Sequence, residues 1–355
     1  MRVIPLADVE SLLGGHIDVR RRPGSLQPLR LNAHELPFFD PFNRFVASCA
    51  SGVRIRFRSD TGSLRLTATQ RLVPGQEGAE QRGAYDLLVD GALFARGFGT
   101  GGATTALDGV LTGDEAFEIQ FDGLPAADKL IELWLPQAAT VVITGLSIDD
   151  GASLTLSADT RPRILFHGSS ITHDMEAFGA TAPWPAVAST LANLNHINLG
   201  WGGSCLLSGQ AARIIRDTPA DAVVLKLGIN VHTDGQLKER NFTDAAHAMI
   251  SIVREKKPTT PMVVISPIFS AARDADGANG GPSLQRMREL LLDVVRVRIA
   301  TGDRAIRYLS GLDLFSAADA HLLPDDLHPN TEGYRLMGER FHAALLTGPD
   351  ALITA

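Results

Sequence analysis

Cysteine is nearly missing from this chain of 355 residues, which holds only Cys49 and Cys205, far apart in sequence. Two such thiols make no disulfide framework, so a reducing, cytoplasmic location is expected. Long apolar runs are missing too, and no stretch approaches the ~20 residues needed to cross a bilayer. The opening Met1-Arg2-Val3-Ile4-Pro5, with Asp8 and Glu10 close behind, lacks the apolar segment of a secretory signal. Positive charge is not in excess either: 33 Lys and Arg face 40 Asp and Glu, for a net charge of -7. That balance argues against nucleic acid or an anionic membrane as the main partner. Internal repeats and low-complexity tracts are absent as well.

What remains is an ordinary soluble composition, 45% hydrophobic and 21% charged. The length exceeds one ordinary core and predicts two domains, residues 1–158 and 159–355. One dense basic run, Arg20-Arg21-Arg22, precedes Pro23 and Gly24. It reads as a solvated turn, with an anion site as the competing reading.

The first half has the pattern of a β protein. Val53-Arg54-Ile55-Arg56-Phe57 and Leu64-Arg65-Leu66-Thr67-Ala68 alternate apolar and polar residues with period two. Tyr85-Asp86-Leu87-Leu88-Val89 runs into Asp90-Gly91, a hairpin signal, and then Leu93-Phe94-Ala95. Further strands are predicted at Phe117 to Phe121, Lys129 to Leu135, Val141 to Ile148 and Leu154 to Leu156. Short strands at this spacing predict a β-sandwich or jelly roll. No long amphipathic helix is predicted from about residue 30 to 158.

From Arg161-Pro162-Arg163 onward the pattern changes. Apolar runs at 164–166, 196–199, 222–227, 262–266 and 306–309 alternate with helical patterns at 184–194, 209–216, 243–256, 283–299 and 331–346. Strands buried on both faces, alternating with helices, predict a parallel sheet of about five strands with helices on each side. Right-handed crossovers then bring the carboxyl ends of the strands to one edge. Ala275 to Pro282 is Gly-rich and reads as a surface loop.

Four segments carry polar residues directly after a predicted strand. In His167-Gly168-Ser169-Ser170-Ile171-Thr172, a strand ending in Gly-x-Ser exposes the Ser170 hydroxyl as a candidate nucleophile beside its own backbone N–H. Asn198-Leu199-Gly200-Trp201-Gly202-Gly203-Ser204 offers glycines that let backbone approach a ligand. In Lys226-Leu227-Gly228-Ile229-Asn230, the Asn230 amide can donate to a developing negative charge. In Asp325-Asp326-Leu327-His328-Pro329-Asn330, an Asp three residues before a His can accept from its Nδ1–H and leave Nε2 free as a base. Each segment alone has a plain structural reading: a strand-end turn, a tight turn, a strand-end cap, and a helix-capping Asp beside a surface His.

Together, in this order, the four segments resemble the GDSL/SGNH hydrolases, whose conserved blocks carry Ser, Gly, Asn and His. Ser170 falls on the nucleophile, Gly203 and Asn230 on the glycine and asparagine, and Asp325 with His328 on the last block. Ser169 stands where the family usually has Asp. The resemblance covers residues 163 to about 345 and implies a flavodoxin-like three-layer α/β/α fold. It also implies a catalytic set of Ser170, Asp325 and His328, with an oxyanion hole from Ser170, Gly203 and Asn230. A β-sandwich before such a domain is similar to one branch of the superfamily, which includes esterases and a salicyl-type acyltransferase of polyketide biosynthesis. Gly83-Ala84-Tyr85-Asp86-Leu87 is loosely similar to a short Gly-x-Asp-Leu signature of that branch.

The expected function is therefore hydrolysis of small acyl esters, on an acylated sugar or metabolite, with no cofactor and no metal. An acyltransferase working through the same acyl-enzyme is the first alternative. A sugar-targeted protein whose sandwich is a carbohydrate-binding module is the second. A metal site from His167, His173 and Asp174 ranks below the triad because it lacks a recognised ligand spacing. His232 is a candidate pocket residue. His321 is a poor rival to His328, and Trp184 and Trp201 read as core or pocket wall. Cys205 reads as a packing residue rather than a nucleophile.

Overall fold

A computed structural model describes residues 1–73, 81–105 and 110–354. Its contacts divide the chain into two compact units, Met1–Thr160 with Met175–Thr181, and Arg161–Asp174 with Ala182–Ala355.

The first unit is a two-sheet β-structure. One sheet runs in the order Leu111–Thr112, Ala103–Thr105, Ser63–Leu72, Ala139–Ile148, Ser25–Leu29, Asp18–Arg22; Ala116–Asp122 also pairs with Ser63–Leu72, and Arg2–Ile4 with Ala139–Ile148. The other runs Thr155–Leu156, Arg54–Ser59, Lys129–Trp134, Tyr85–Val89, Ala92–Gly97. Period-two alternation builds the core between them: Phe117, Ile119 and Phe121 are buried while Glu118, Gln120 and Asp122 are exposed. Leu64, Leu66 and Ile143 of one sheet share a single apolar cluster with Ile55, Phe57, Leu87 and Ile131 of the other. The Asp90-Gly91 hairpin forms with positive φ at both residues, 49° and 83°, as a two-residue turn of this kind requires.

The Arg20–Arg22 run is a strand, not a turn. These residues end the strand Asp18–Arg22, and the turn is the Pro23-Gly24 step after it. Pairing with Ser25–Leu29 sets Arg20 against Gln27 and Arg22 against Ser25. The pleat buries Val19 and turns Arg20 and Arg22 to the other face, so local charge density did not prevent strand formation. The helical content here is short: a 3-10 segment at Ala33–Phe38 and an α-helix at Pro41–Ala47, whose N-cap Asp40 accepts from the N–H groups of Phe42 and Asn43.

Met175–Thr181 joins this unit through specific bonds. The fully buried Asp86 carboxylate, in the Gly83–Leu87 motif, receives Arg96 Nε at 2.6 Å and the Thr181 N–H and hydroxyl at 2.9 and 2.6 Å. Arg82 pairs with Glu176 at 2.7 Å.

The second unit is a five-stranded parallel sheet in the order Asn195–Gly200, Arg163–Gly168, Ala222–Lys226, Met262–Ile265, Ile306–Leu309. Numbered along the chain this is 2-1-3-4-5, the flavodoxin-like order. The strands are nearly continuous apolar runs, as burial on both faces demands. Helices Trp184–Leu191, Gly209–Asp217, Glu239–Arg254, Leu284–Ala300 and Thr331–Leu345 connect or follow them. Trp184 and Trp201 are buried, and Trp184 packs edge-on against Phe166 and Phe341 at 5.1 and 5.3 Å between ring centres. No helix among the described residues is long and apolar enough to cross a membrane.

Candidate active site

Ser170, Gly203 and Asn230 follow strand ends of the second unit, whereas Asp325 and His328, expected directly after a strand, follow the 3-10 segment Ala317–Leu322, with the helix Gly311–Leu314 between it and the last strand. The strand Arg163–Gly168 stops at Gly168, and Ser170 opens a one-turn helix, Ser170–His173. Ser169, at the position where the resemblance expects Asp, is the N-cap of that helix and accepts from Ile171 N–H at 3.2 Å. Several bonds clamp the turn. Asn198 Nδ2 donates to Thr172 O at 2.8 Å while its Oδ1 accepts from Gly200 N–H. Trp184 Nε1 donates to Ile171 O at 2.9 Å, and Trp201 N–H to Gly168 O at 2.7 Å. A Cβ on Gly200 would run into the backbone of His173, so the second strand can pass this close only with glycine there.

The fourth segment folds as its spacing predicts. Asp325 Oδ1 accepts the N–H groups of Leu327 and His328 at 3.0 and 2.7 Å, and Oδ2 lies 2.7 Å from His328 Nδ1. His328 Nε2 lies 2.8 Å from Ser170 Oγ. Partial burial pushes the Asp325 carboxyl up, but the His328 ring and the two backbone N–H groups outweigh it and hold it well below the usual carboxylate range. Asp326, whose backbone has φ 58°, turns the opposite way. Its carboxylate accepts from the N–H groups of Ala271 and Ala272 at 3.0 and 2.9 Å, which ties the histidine loop to the end of the fourth strand's loop.

Asn230 sits in the short helix Ile229–His232, whose N-cap is Gly228 at φ 117°. Its Oδ1 accepts the Cys205 N–H at 3.0 Å, so the side chain bridges two loops rather than capping a strand end. That bond fixes which way the amide faces and leaves Nδ2 as the free donor. Gly203 lies in the preceding loop at φ 69°. Among the described residues, the backbone N–H groups of Ser170 and Gly203 and the Nδ2 of Asn230 make no hydrogen bond. Three donors at strand ends, all unengaged, are what a developing oxyanion needs.

Two residues beneath this site carry roles the sequence did not show. His167 Nδ1 donates to Leu199 O at 2.8 Å, and its Nε2 faces Cys205 Sγ at 3.6 Å. Burial pushes His167 down to about 4 and the Cys205 thiol up to about 12. Cys205 is therefore a protonated, buried thiol donating to a neutral ring, in the loop that orients Asn230. Lys226, also buried, is pushed down to about 8 by desolvation. His167, His173 and Asp174 do not form a metal cluster: no group of three His, Cys, Asp or Glu able to hold a metal ion occurs among the described residues. His232 is tied to Asp276 O at 2.9 Å, and His321, exposed, stands near Ala318 O at 3.2 Å.

A hydroxyl, an imidazole and a carboxylate thus stand in one hydrogen-bonded chain at the carboxyl edge of a parallel sheet, an arrangement chemically competent for acyl transfer to a serine. Residues 166–336 match the GDSL-like Lipase/Acylhydrolase family, and the chain carries an acylhydrolase (SGNH) domain of that family there. Comparison with curated proteins finds no match. Among solved structures the chain is similar to a salicylyl-acyltransferase from a tetracycline biosynthetic pathway, at 27% identity, TM-score 0.80, with 92% of each chain covered. It is also similar in fold to a GDSL-like lipase from Bacteroides ovatus, at 19% identity and TM-score 0.76, covering 97% of this chain and 96% of that one. A family two carbohydrate esterase from Clostridium thermocellum, in complex with cellohexaose, shares the fold at 16% identity and TM-score 0.61, covering 83% and 92%.

Proposed function

We propose that this acylhydrolase is a carboxylic ester hydrolase acting on small acyl esters through an acyl-enzyme on Ser170. The observation that carries the reading is the chain from Ser170 Oγ through His328 to Asp325, at 2.8 and 2.7 Å. His328 Nε2 takes the hydroxyl proton as Oγ attacks the ester carbonyl carbon, and the carbonyl electron pair moves to oxygen. The N–H groups of Ser170 and Gly203 and the Asn230 amide receive that oxyanion. When it collapses, the C–O bond to the leaving group breaks and His328 returns the proton to the departing alkoxide. A water then repeats the sequence in reverse and frees the acid.

The second reading ends the same acyl-enzyme with an alcohol instead of water. It is supported by the likeness to the acyltransferase over nine-tenths of both chains. The relatives named above bind a cello-oligosaccharide or transfer a salicylyl group, so small acylated sugars and aromatic acyl esters are the substrates to test first. A panel of p-nitrophenyl esters of rising chain length, with acetylated sugars, run beside Ser170→Ala, tests the proposal. Turnover by the wild type and none by the variant supports it; equal turnover by both sinks it.

A further inference from the structure

The outer face of the sandwich carries a groove that ester chemistry does not use. Its volume is about 680 Å³. Its floor is the outward side of four adjacent strands, Ser63–Leu72, Ala139–Ile148, Ser25–Leu29 and Asp18–Arg22, and its wall is the helical segment from Ala33 to Ser48. Four cations line it, Arg20, Arg22, Arg44 and Arg71, against one carboxylate, Glu115. Glu115 is already engaged by Arg71, and Arg20 rests on Gln27 Oε1 at 3.3 Å. Arg22 and Arg44 have no carboxylate partner among the described residues. A chain of net charge -7 thus presents a local excess of positive charge in a concavity.

We infer that this groove binds an acidic oligosaccharide, one bearing carboxylates on successive sugar units. The guanidinium groups match carboxylates, which they can hold with paired N–H donors. Arg22 and Arg44, the two without a carboxylate partner, stand on different elements, the strand Asp18–Arg22 and the helix Pro41–Ala47, which offers places for more than one anion. The floor has hydroxyls and amide, Ser25, Gln27, Thr69 and Thr140, the partners that sugar hydroxyls use. A neutral glycan is a poorer fit, because it docks on aromatic platforms and only Phe45 among the lining residues is aromatic. The site is built wholly within the first unit and does not depend on the reading of Ser170.

Calorimetric titration of the full chain with tetragalacturonate, cellotetraose and tripolyphosphate tests the inference. Tetragalacturonate should bind, cellotetraose should not compete at this groove, and raising salt should weaken binding. Arg22→Glu and Arg44→Glu, both at exposed positions, should each lower tetragalacturonate affinity about fivefold or more without moving the melting temperature. Ser170→Ala should leave that affinity unchanged, which separates the groove from the ester site. No binding of tetragalacturonate, or binding indifferent to both charge reversals, overturns the inference. Tripolyphosphate binding as well as the sugar does, through the same arginines, overturns its saccharide part.

Discussion

Ser170 Oγ and His328 Nε2 lie 2.8 Å apart although 158 residues of sequence separate them. The contact exists because the serine turn and the histidine loop are each fixed from several sides. Ser169 caps the serine turn, Asn198 and Trp184 hold its carbonyls, and Asp325 and Asp326 hold the histidine loop from opposite directions. If Ser170 and His328 act as proposed, pre-positioning of this kind lowers the entropy lost when nucleophile, base and substrate align.

Ser170→Ala is expected to abolish ester turnover and leave the melting temperature nearly unchanged. The hydroxyl supplies one partner to His328, while the turn itself is held by bonds from its neighbours. Loss of folding in this variant would contradict that division of labour.

Asp325→Asn should cut kcat by roughly 10⁴, because an amide in that position favours the wrong imidazole tautomer. Since the Asp325 carboxyl is held well below the usual range, the wild type should keep it ionised throughout the acid side of any kcat profile. Activity of the variant within tenfold of the wild type would show that Asp325 serves only to cap the loop.

Asn230→Ala should lower kcat about 10²–10³-fold with little change in KM. The Cys205 N–H loses its acceptor, which costs about 1 kcal/mol and a few degrees of melting temperature. A large stability loss with unchanged kcat would mark Asn230 as purely structural.

His167 predicts an acid-sensitive component of stability. Its folded value is about 4 against an ordinary 6.5, because burial disfavours the imidazolium. Between those values the unfolded chain binds a proton that the folded chain refuses. Stability therefore falls as the pH drops from 6.5 to 4, by about 3 kcal/mol in all, with no further loss from this group below. Denaturation at pH 7 and at pH 4.5 should show a smaller drop for His167→Gln than for the wild type. Equal drops would mean that the ring is protonated in the folded state.

Much of this was legible along the chain, and what was not has a common physical cause. The five parallel strands announced themselves as apolar runs because both faces are buried, and three polar segments stood out directly after them; the fourth, Asp325 to Asn330, follows the 3-10 segment Ala317–Leu322 instead of a strand. Asp325 and His328 were readable as a pair because their partnership is local, three residues apart. Ser169 was not readable: its value as an N-cap depends on the helix that begins after it. The link from His167 through Cys205 to Asn230 was invisible, since it joins three strand ends that meet only in the folded sheet. Arg20, Arg21 and Arg22 misled for the opposite reason. Their charge suggests a turn, while hairpin pairing with Ser25–Leu29 across the Pro23-Gly24 turn makes them a strand. The groove that Arg20 and Arg22 help to line depends on strands distant in sequence, so no local pattern marks it.

The choice between hydrolysis and acyl transfer turns on what reaches the acyl-enzyme second. Added alcohols of rising size should divert product from the free acid to the ester if the site accepts an alcohol. A product ratio fixed by bulk water alone, across all acceptors, would assign the chain to hydrolysis.

The central claim is that Ser170 carries the acyl group. Rapid acid quench of the protein with p-nitrophenyl acetate, followed by peptide mass mapping, reads this directly. The account predicts one acetyl group on the peptide containing Ser170, absent in Ser170→Ala and accumulating when His328 is replaced only if acylation still proceeds slowly. Acetyl on another residue with Ser170 unmodified, or turnover with no covalent species in the burst phase, would contradict it.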